Sequence, residues 1–370
     1  MSLWRVLVVD DEPGMLRSVE RVLGHHYEVA SSLSSRGAVP LAQAFQPDLA
    51  LLDIQMPEMD GFQLMEELQA LDPELDVIVM TGSIHELDAK LVRAIRKDAF
   101  YFLQKPFDRG VLLSLVERCF ERKRLDRSNR QYLRRIEQEL ADACAFQRSM
   151  LAPRFADLGG ISVFAHYLPC SELAGDFYDY VALPPEGAAI IVADVSGHGV
   201  SAAMLTGVVK SAFHSASSEL YEPVRVAERI ANGLRSFGPQ HFITLICARV
   251  QNGSLEFVNA GHPPGILSKV KTPAVLLEAT GPLISPALQC SWEQQVIQIE
   301  RGSDRIVLFT DALIEAESES EAYGLDRLVE EVGKRPVEGT VLSEQILESV
   351  RRFAAGRSIT DDLTLVIADL

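Results

Sequence analysis

The hydrophobic and polar positions of this chain change rhythm twice. Over roughly the first hundred residues, short apolar runs alternate with amphipathic stretches of helix length. The runs are LWRVLVVD (3–10), DLALLD (48–53), DVIVMT (76–81) and FYFLQKP (100–106). Such alternation predicts a parallel sheet with helices on both faces. From 108 to 150 there is no proline and, after Gly110, no glycine, while Leu133, Ile136, Leu140, Ala143 and Met150 fall at three- and four-residue spacing. This predicts one long helix. Arg122, Asp126 and Asn129 interrupt the earlier heptads, so a coiled-coil seam is expected only in its second half. From Leu151 onward the runs AAIIVADV, FITLICARV, SLEFVNAG, DRIVLFT and LTLVIADL, separated by two helix-like stretches, suit paired sheets. The expected organisation is an α/β domain over 1–120, a helical linker over 108–150 that overlaps its last helix, and a second α/β domain over 151–370.

A chain of 370 residues with 47% hydrophobic and 24% charged side chains is a folded protein of two or three domains. Its formal charge of −17 divides into −8 over 1–107, +3 over 108–150 and −12 over 151–370. Nucleic acid would meet a repulsive field. The basic excess on the linker reads as a solvated or partner-facing surface. No apolar run reaches 18 residues and the N-terminal run turns acidic, so neither a membrane span nor a signal peptide is expected, and the chain reads as cytoplasmic. Five cysteines without a CxxC pair predict reduced core thiols rather than a disulfide or zinc framework.

In a parallel sheet, chemistry collects at the carboxyl ends of the strands. Here the first ends in Asp10, Asp11 and Glu12, the third in Asp53 followed by IQMPEMDG, the fourth in Thr81, and the fifth in Lys105 and Pro106. Hard carboxylate oxygens at this density suit one Mg²⁺. The order and spacing resemble the flavodoxin-like, doubly wound receiver domain of two-component response regulators. The resemblance implies that Asp53 is the phospho-acceptor and that Asp10, Asp11, Asp53 and Gln55 form the Mg²⁺ site. It also implies that Thr81, Phe102 and Lys105 are the switch residues and that a sensor histidine kinase lies upstream. A carboxylate can act as the nucleophile toward a phosphoryl group, with a lysine offsetting the added charge.

In the second domain, Asp176, Asp194, Asp311 and the pair Asp361 and Asp362 stand at strand ends or turns with no basic neighbour in sequence. A carboxylate at the end of an apolar strand needs a partner, and hard oxygens without His or Cys clusters favour Mg²⁺ or Mn²⁺. The motifs AGDFYD, DVSGHG, NAGHPP, FTDALIEA and DDLT resemble, in order, the SpoIIE-like branch of the PPM serine/threonine phosphatases, whose domain is a β-sandwich flanked by helices. The resemblance implies two Mn²⁺ or Mg²⁺ bridged by Asp194 with the Val195 carbonyl, with Asp311 and Asp361 holding one ion and Asp176 supporting the site. It further implies direct attack of water on phosphoserine or phosphothreonine. His198 is a candidate proton donor to the leaving group and equally a turn-shaping residue, while His262 reads as structural. Ala312 departs from the usual glycine, and a methyl there is expected to strain the turn.

The expectation is a phosphorelay response regulator whose output is a protein phosphatase acting on a phosphorylated regulatory protein, such as an anti-sigma-factor antagonist in partner switching. No nucleic-acid or membrane partner is expected, and the linker seam predicts a homodimer. The rival is a weak or inactive regulator that sequesters a partner with the same fold. A DNA-binding output lacks a recognition-helix pattern.

Overall fold

The computed structural model describes residues 4–82, 101–197, 199–270, 272–289, 291–334, 338–357 and 360–370. Contacts divide the chain into two compact units, Met1–Arg135 and Ile136–Leu370.

The first unit is built on β1 (Arg5–Val9), β2 (Glu28–Ser32), β3 (Leu49–Asp53), β4 (Asp76–Thr81) and β5 (Tyr101–Gln104), all parallel in the order β2-β1-β3-β4-β5. Period-two alternation explains its double burial. Val6, Val8, Leu49, Leu51, Ile78 and Met80 pack with helix α1 (Pro13–Leu23) and with Leu112, Val116, Cys119 and Phe120 of the long helix. Leu7, Val9, Ala50, Leu52, Val77 and Val79 pack on the other face with α2 (Ser35–Phe45) and α3 (Gly61–Leu71). This is the doubly wound arrangement the alternation predicts.

The long helix, α4, runs from Arg109 to Met150. Its early cations serve the first unit. Arg122 pairs with Asp76 at 2.8 Å, Lys123 donates to the Asp48 and Glu74 carbonyls at 2.8 and 2.6 Å, and Arg127 pairs with Asp48 at 3.0 Å. These contacts are the physical reason the heptads are broken there. Farther along, Leu133 and Ile136 are 51% and 42% exposed. Among the described residues no helix is long and apolar enough to cross a membrane.

The second unit stacks two antiparallel sheets. Its strands are β6 (Phe155–Asp157), β7 (Ser162–Leu168), β8 (Asp176–Leu183), β9 (Gly187–Val195), β10 (Ile243–Gln251), β11 (Ser254–Ala260), β12 (Gly265–Ser268), β13 (Val275–Leu277), β14 (Gln295–Gln298), β15 (Arg305–Phe309) and β16 (Leu363–Asp369). One sheet has the order β14-β11-β10-β9-β8 and the other β13-β12-β15-β16-β7-β6, and β7, β8, β9, β10, β15 and β16 position the chemistry. Along β9, Ala188, Ile190 and Val192 face the inter-sheet core, and Ala189, Ile191, Ala193 and Val195 face helices α5 (Val200–Ser215) and α6 (Pro223–Leu234). Helices α7 (Leu325–Gly333) and α8 (Gly339–Phe353) cover the outer face of the other sheet. One expectation needs correcting: Cys119 and Cys247 are buried thiols, but Cys144 is half-buried and Cys170 exposed, because both lie where the end of α4 meets the 170–175 loop. Cys290 lies outside the described residues.

Candidate functional sites

In the first unit, the switch of strand order between β1 and β3 opens a crevice at the carboxyl ends of the strands. Asp10 is fully buried, and Asp53 ends β3 with little exposure. The Lys105 ammonium lies 2.6 Å from Asp10 Oδ2 and 3.0 Å from Asp53 Oδ1. Carboxylate oxygens of Asp10, Asp11 and Asp53 approach within 4.8 Å of one another. Burial pushes the Asp53 carboxyl up; Lys105 works against this and Asp10 and Asp11 add to it. Burial disfavours the Lys105 ammonium, but its bonds to Asp10 and Asp53 hold it above its ordinary range. Three carboxylates facing one ammonium leave charge for a divalent cation, so the donor set fits Mg²⁺.

The surrounding backbone is tightly set. A Cβ on Gly61 would lie 2.2 Å from the Asp53 carbonyl, so only glycine lets α3 start there. Asp60 caps that helix by accepting from the Phe62 and Gln63 amides. Thr81 is buried at the end of β4, and its carbonyl accepts from the Lys105 amide at 2.7 Å. Phe102 is half-buried on β5 against the α2–α3 side of the core. Gln55 is exposed in the loop after β3.

In the second unit, pairing of β8 with β9 sets Asp176 opposite Asp194, and pairing of β9 with β10 sets Thr244 on the other side of Asp194. Asp311 follows β15 at the start of a short 3-10 turn, and Asp361 precedes β16. Asp176 is buried, and its Oδ2 accepts from the Thr310 hydroxyl at 2.8 Å and the Thr364 hydroxyl at 2.6 Å. Asp362 accepts from the Cys170 and Gly175 amides at 2.8 and 2.7 Å, tying the 170–175 loop to the start of β16. A Cβ on Gly175 would lie 2.6 Å from the Val195 carbonyl, so that carbonyl needs glycine beside it. His262 is buried and neutral, 2.8 Å from the Thr244 hydroxyl. Desolvation holds its imidazole down at about 3, in keeping with a structural role. His198 lies outside the described residues.

The electrostatics of this set are one-sided. Burial, then the charges of Asp311, Asp361 and Asp362, push Asp194 up to about 7. Burial raises Asp311, with Asp361 adding to it, and burial raises Asp176 against its threonine hydrogen bonds. None of Asp176, Asp194, Asp311 and Asp361 makes an ion pair with a described residue. Clustered hard oxygens without an internal cation fit divalent Mg²⁺ or Mn²⁺.

Ala312 corrects a second expectation. It is not among the residues with positive φ, it is buried in the core under α7 and α8, and its amide serves the Asp311 carboxylate. The methyl therefore packs without straining the turn. Sequence reasoning also missed three partners. Thr310 and Thr364 flank the FTD and DDLT motifs and converge on Asp176. Gln147, in the last turn of α4, is buried and brackets Ala174, donating to its carbonyl at 2.7 Å and accepting from its amide at 3.2 Å. A polar residue at a predicted core position, among Ala143 and Met150, was the available signal.

The arrangement defines a class: an Asp/Lys receiver crevice joined, through a helix, to a helix-flanked sandwich with clustered aspartates. The family profile described as Response regulator receiver domain matches residues 6–117. That of Stage II sporulation protein E (SpoIIE) matches residues 184–370, half of the chain, and the chain belongs to the SpoIIE family. It is similar to the phosphoserine phosphatase RsbP of Bacillus subtilis, 25% identical over 65% of this chain and 60% of RsbP. It is likewise similar to the phosphoserine phosphatase RsbU of the same organism, 28% identical over 54% of this chain and 63% of RsbU. The chain thus spans less than two thirds of either relative. The SiaA-PP2C domain of Pseudomonas aeruginosa, 19% identical, superposes with a TM-score of 0.56 over 64% of this chain and 98% of that domain, which shows a shared fold.

Proposed function

We propose that this protein is a response regulator in which phosphorylation of Asp53 controls a metal-dependent protein serine/threonine phosphatase. The observation that carries the reading is the set of Asp194, Asp311 and Asp361 at adjoining strand ends, carboxylates that repel one another and pair with no cation among the described residues. These residues, with the Val195 carbonyl, would hold two Mn²⁺ or Mg²⁺. Bound there, the ions would activate water and neutralise phosphoryl oxygens. Asp176 supports the site through Thr310 and Thr364, which fix the approach of β8, β15 and β16. Asp362 and Gly175 hold the loop against the Val195 carbonyl. His198 is the candidate proton donor to the leaving alkoxide.

In the first unit, Asp10, Asp11, Asp53 and Gln55 would hold Mg²⁺, Lys105 would meet the new phosphoryl group, and Thr81 and Phe102 would report its arrival. A sensor histidine kinase is the expected donor. The names of RsbP and RsbU support a phosphoserine protein as substrate, with an anti-sigma-factor antagonist as the candidate and the cytoplasm as the setting. The exposed Leu133 and Ile136 support a homodimer through α4. The sequestering alternative loses its main argument, since Ala312 is accommodated. The test is release of phosphate from a phosphoserine-bearing anti-sigma-factor antagonist by the purified chain. Release with Mn²⁺ and none with EDTA is expected; stoichiometric binding without release would favour sequestration.

A further inference from the structure

Beside the aspartates lies a cavity of about 890 Å³ whose wall includes Ala312, Glu315, Glu317, Thr360, Asp361 and Arg357. Arg357 is the one cation among its described lining residues, and its guanidinium makes no ion pair or hydrogen bond with a described residue. Nearby arginines behave otherwise: Arg327 pairs with Glu321 at 2.7 Å and Arg352 with Glu348 at 3.7 Å. The local backbone fixes where Arg357 sits. After α8 the chain turns through Ala355 and Gly356, with φ of 48° and 88°, and the Arg357 amide donates to the Ala354 carbonyl at 2.9 Å. This places it on the cavity wall four residues before Asp361.

A phosphoryl dianion entering this cavity meets Glu315, Glu317 and Asp361, all of which repel it. Metal ions at Asp361 would serve the oxygens facing them. The remaining oxygens need a donor, and a guanidinium fork matches two of them at once. We propose that Arg357 is the phosphoryl-recognition residue of the phosphatase domain, binding non-bridging oxygens of the phosphorylated side chain on entry and of phosphate on exit. This rests on the phosphatase reading.

The test uses the full chain with Mn²⁺ and the variants Arg357→Ala and Arg357→Lys, each checked for an unchanged melting temperature. Inorganic phosphate is titrated calorimetrically, and turnover is followed on p-nitrophenyl phosphate and on a phosphoserine peptide with alanine flanks. Loss of a charged hydrogen-bonding partner should raise the phosphate Kd and both KM values about tenfold or more, with kcat within about threefold and the lysine variant in between. Unchanged Kd and KM in Arg357→Ala, or a wild type that binds no phosphate, overturns the proposal. A change in phosphate Kd without a change in peptide KM overturns its substrate half. A wild type that hydrolyses neither compound refutes the phosphatase reading instead, while the phosphate titration still decides the arginine.

Discussion

The two acidic clusters of this molecule solve the same electrostatic problem in opposite ways. In the first unit, Asp10 and Asp53 share the Lys105 ammonium at 2.6 and 3.0 Å, so much of the charge is balanced from within. In the second, Asp194 faces Asp311, Asp361 and Asp362 with no lysine or arginine pairing with it among the described residues, and its carboxyl is pushed up to about 7. A crevice with its own counter-charge can gain and lose a phosphoryl group while staying folded. A cluster without one carries a standing penalty that an external cation removes. Both units should therefore need metal for chemistry, but the second should depend on it more strongly for stability.

The greatest change is expected at Asp194. Asp194→Ala should lower Mn²⁺-dependent turnover by on the order of 10³-fold or more, yet leave the metal-free melting temperature unchanged or higher, because it deletes a half-buried carboxylate that faces other carboxylates and pairs with no cation among the described residues. Turnover and calorimetry on the same preparation check both halves. Full activity in that variant would place the metals elsewhere and remove the distinction between the clusters.

The corresponding change in the first unit is Asp53→Asn. Acetyl phosphate with Mg²⁺ should add one phosphoryl group to the intact protein and none to the variant, read by intact mass. Equal labelling of both would move the acceptor away from the Lys105 crevice.

A pH experiment probes the same contrast through a more modest change. The Asp194 carboxyl lies near 7 when folded, against an ordinary 3.8, so the folded state retains a proton that the unfolded chain has released. The associated stability is fully present below 3.8 and is lost as pH rises through about 7. At about 1.36 kcal/mol for each pH unit separating the folded and unfolded values, this amounts to roughly 4 kcal/mol at most. Asp176 and Asp311 are raised in the same direction. The metal-stripped second unit should therefore melt lower at pH 8 than at pH 5.5, and Mn²⁺ should shrink the gap. A stripped protein more stable at pH 8 contradicts the one-sided cluster.

How much of this was legible in the sequence follows burial. The five apolar runs after residue 150 correspond to β9, β10, β11, β15 and β16, which all lie inside their sheets and are covered on both faces. Strands β7 (SVFAHYL), half-exposed, and β14 (QVIQ), mostly exposed, carry no long apolar run. Strand β2, with the sequence EVASS, is half-exposed at an edge and has no apolar run at all. The aspartates were legible because a charge ending an apolar strand is conspicuous. Thr310 and Thr364 were not, since their bonds to Asp176 span 134 and 188 residues and exist only once the strands are assembled. Ala312 was misjudged because a departure from a motif carries no φ.

The helix that belongs to both regions should give the least change of all. Its early cations are bonded to Asp76, Asp48 and the Glu74 carbonyl in the first unit. Its last turn is bonded through Gln147 to Ala174, next to the glycine that packs on the Val195 carbonyl. A rotation of the helix would therefore reach the loop that carries Asp176. Between these ends, Leu133 and Ile136 stand in solvent, an apolar seam that the proposed second copy would cover. Coupling of this kind needs about 1–3 kcal/mol, or roughly 5- to 150-fold in the balance between states. Beryllofluoride, a mimic of the phosphoryl group on Asp53, should change turnover within that range in the wild type. The double substitution Leu133→Asp and Leu140→Asp should give a monomer by sedimentation whose turnover ignores the mimic, and Gln147→Ala should blunt the response while leaving the dimer intact. A wild type that sediments as a monomer and is indifferent to beryllofluoride defeats the coupling, and leaves the two clusters as independent sites on one chain.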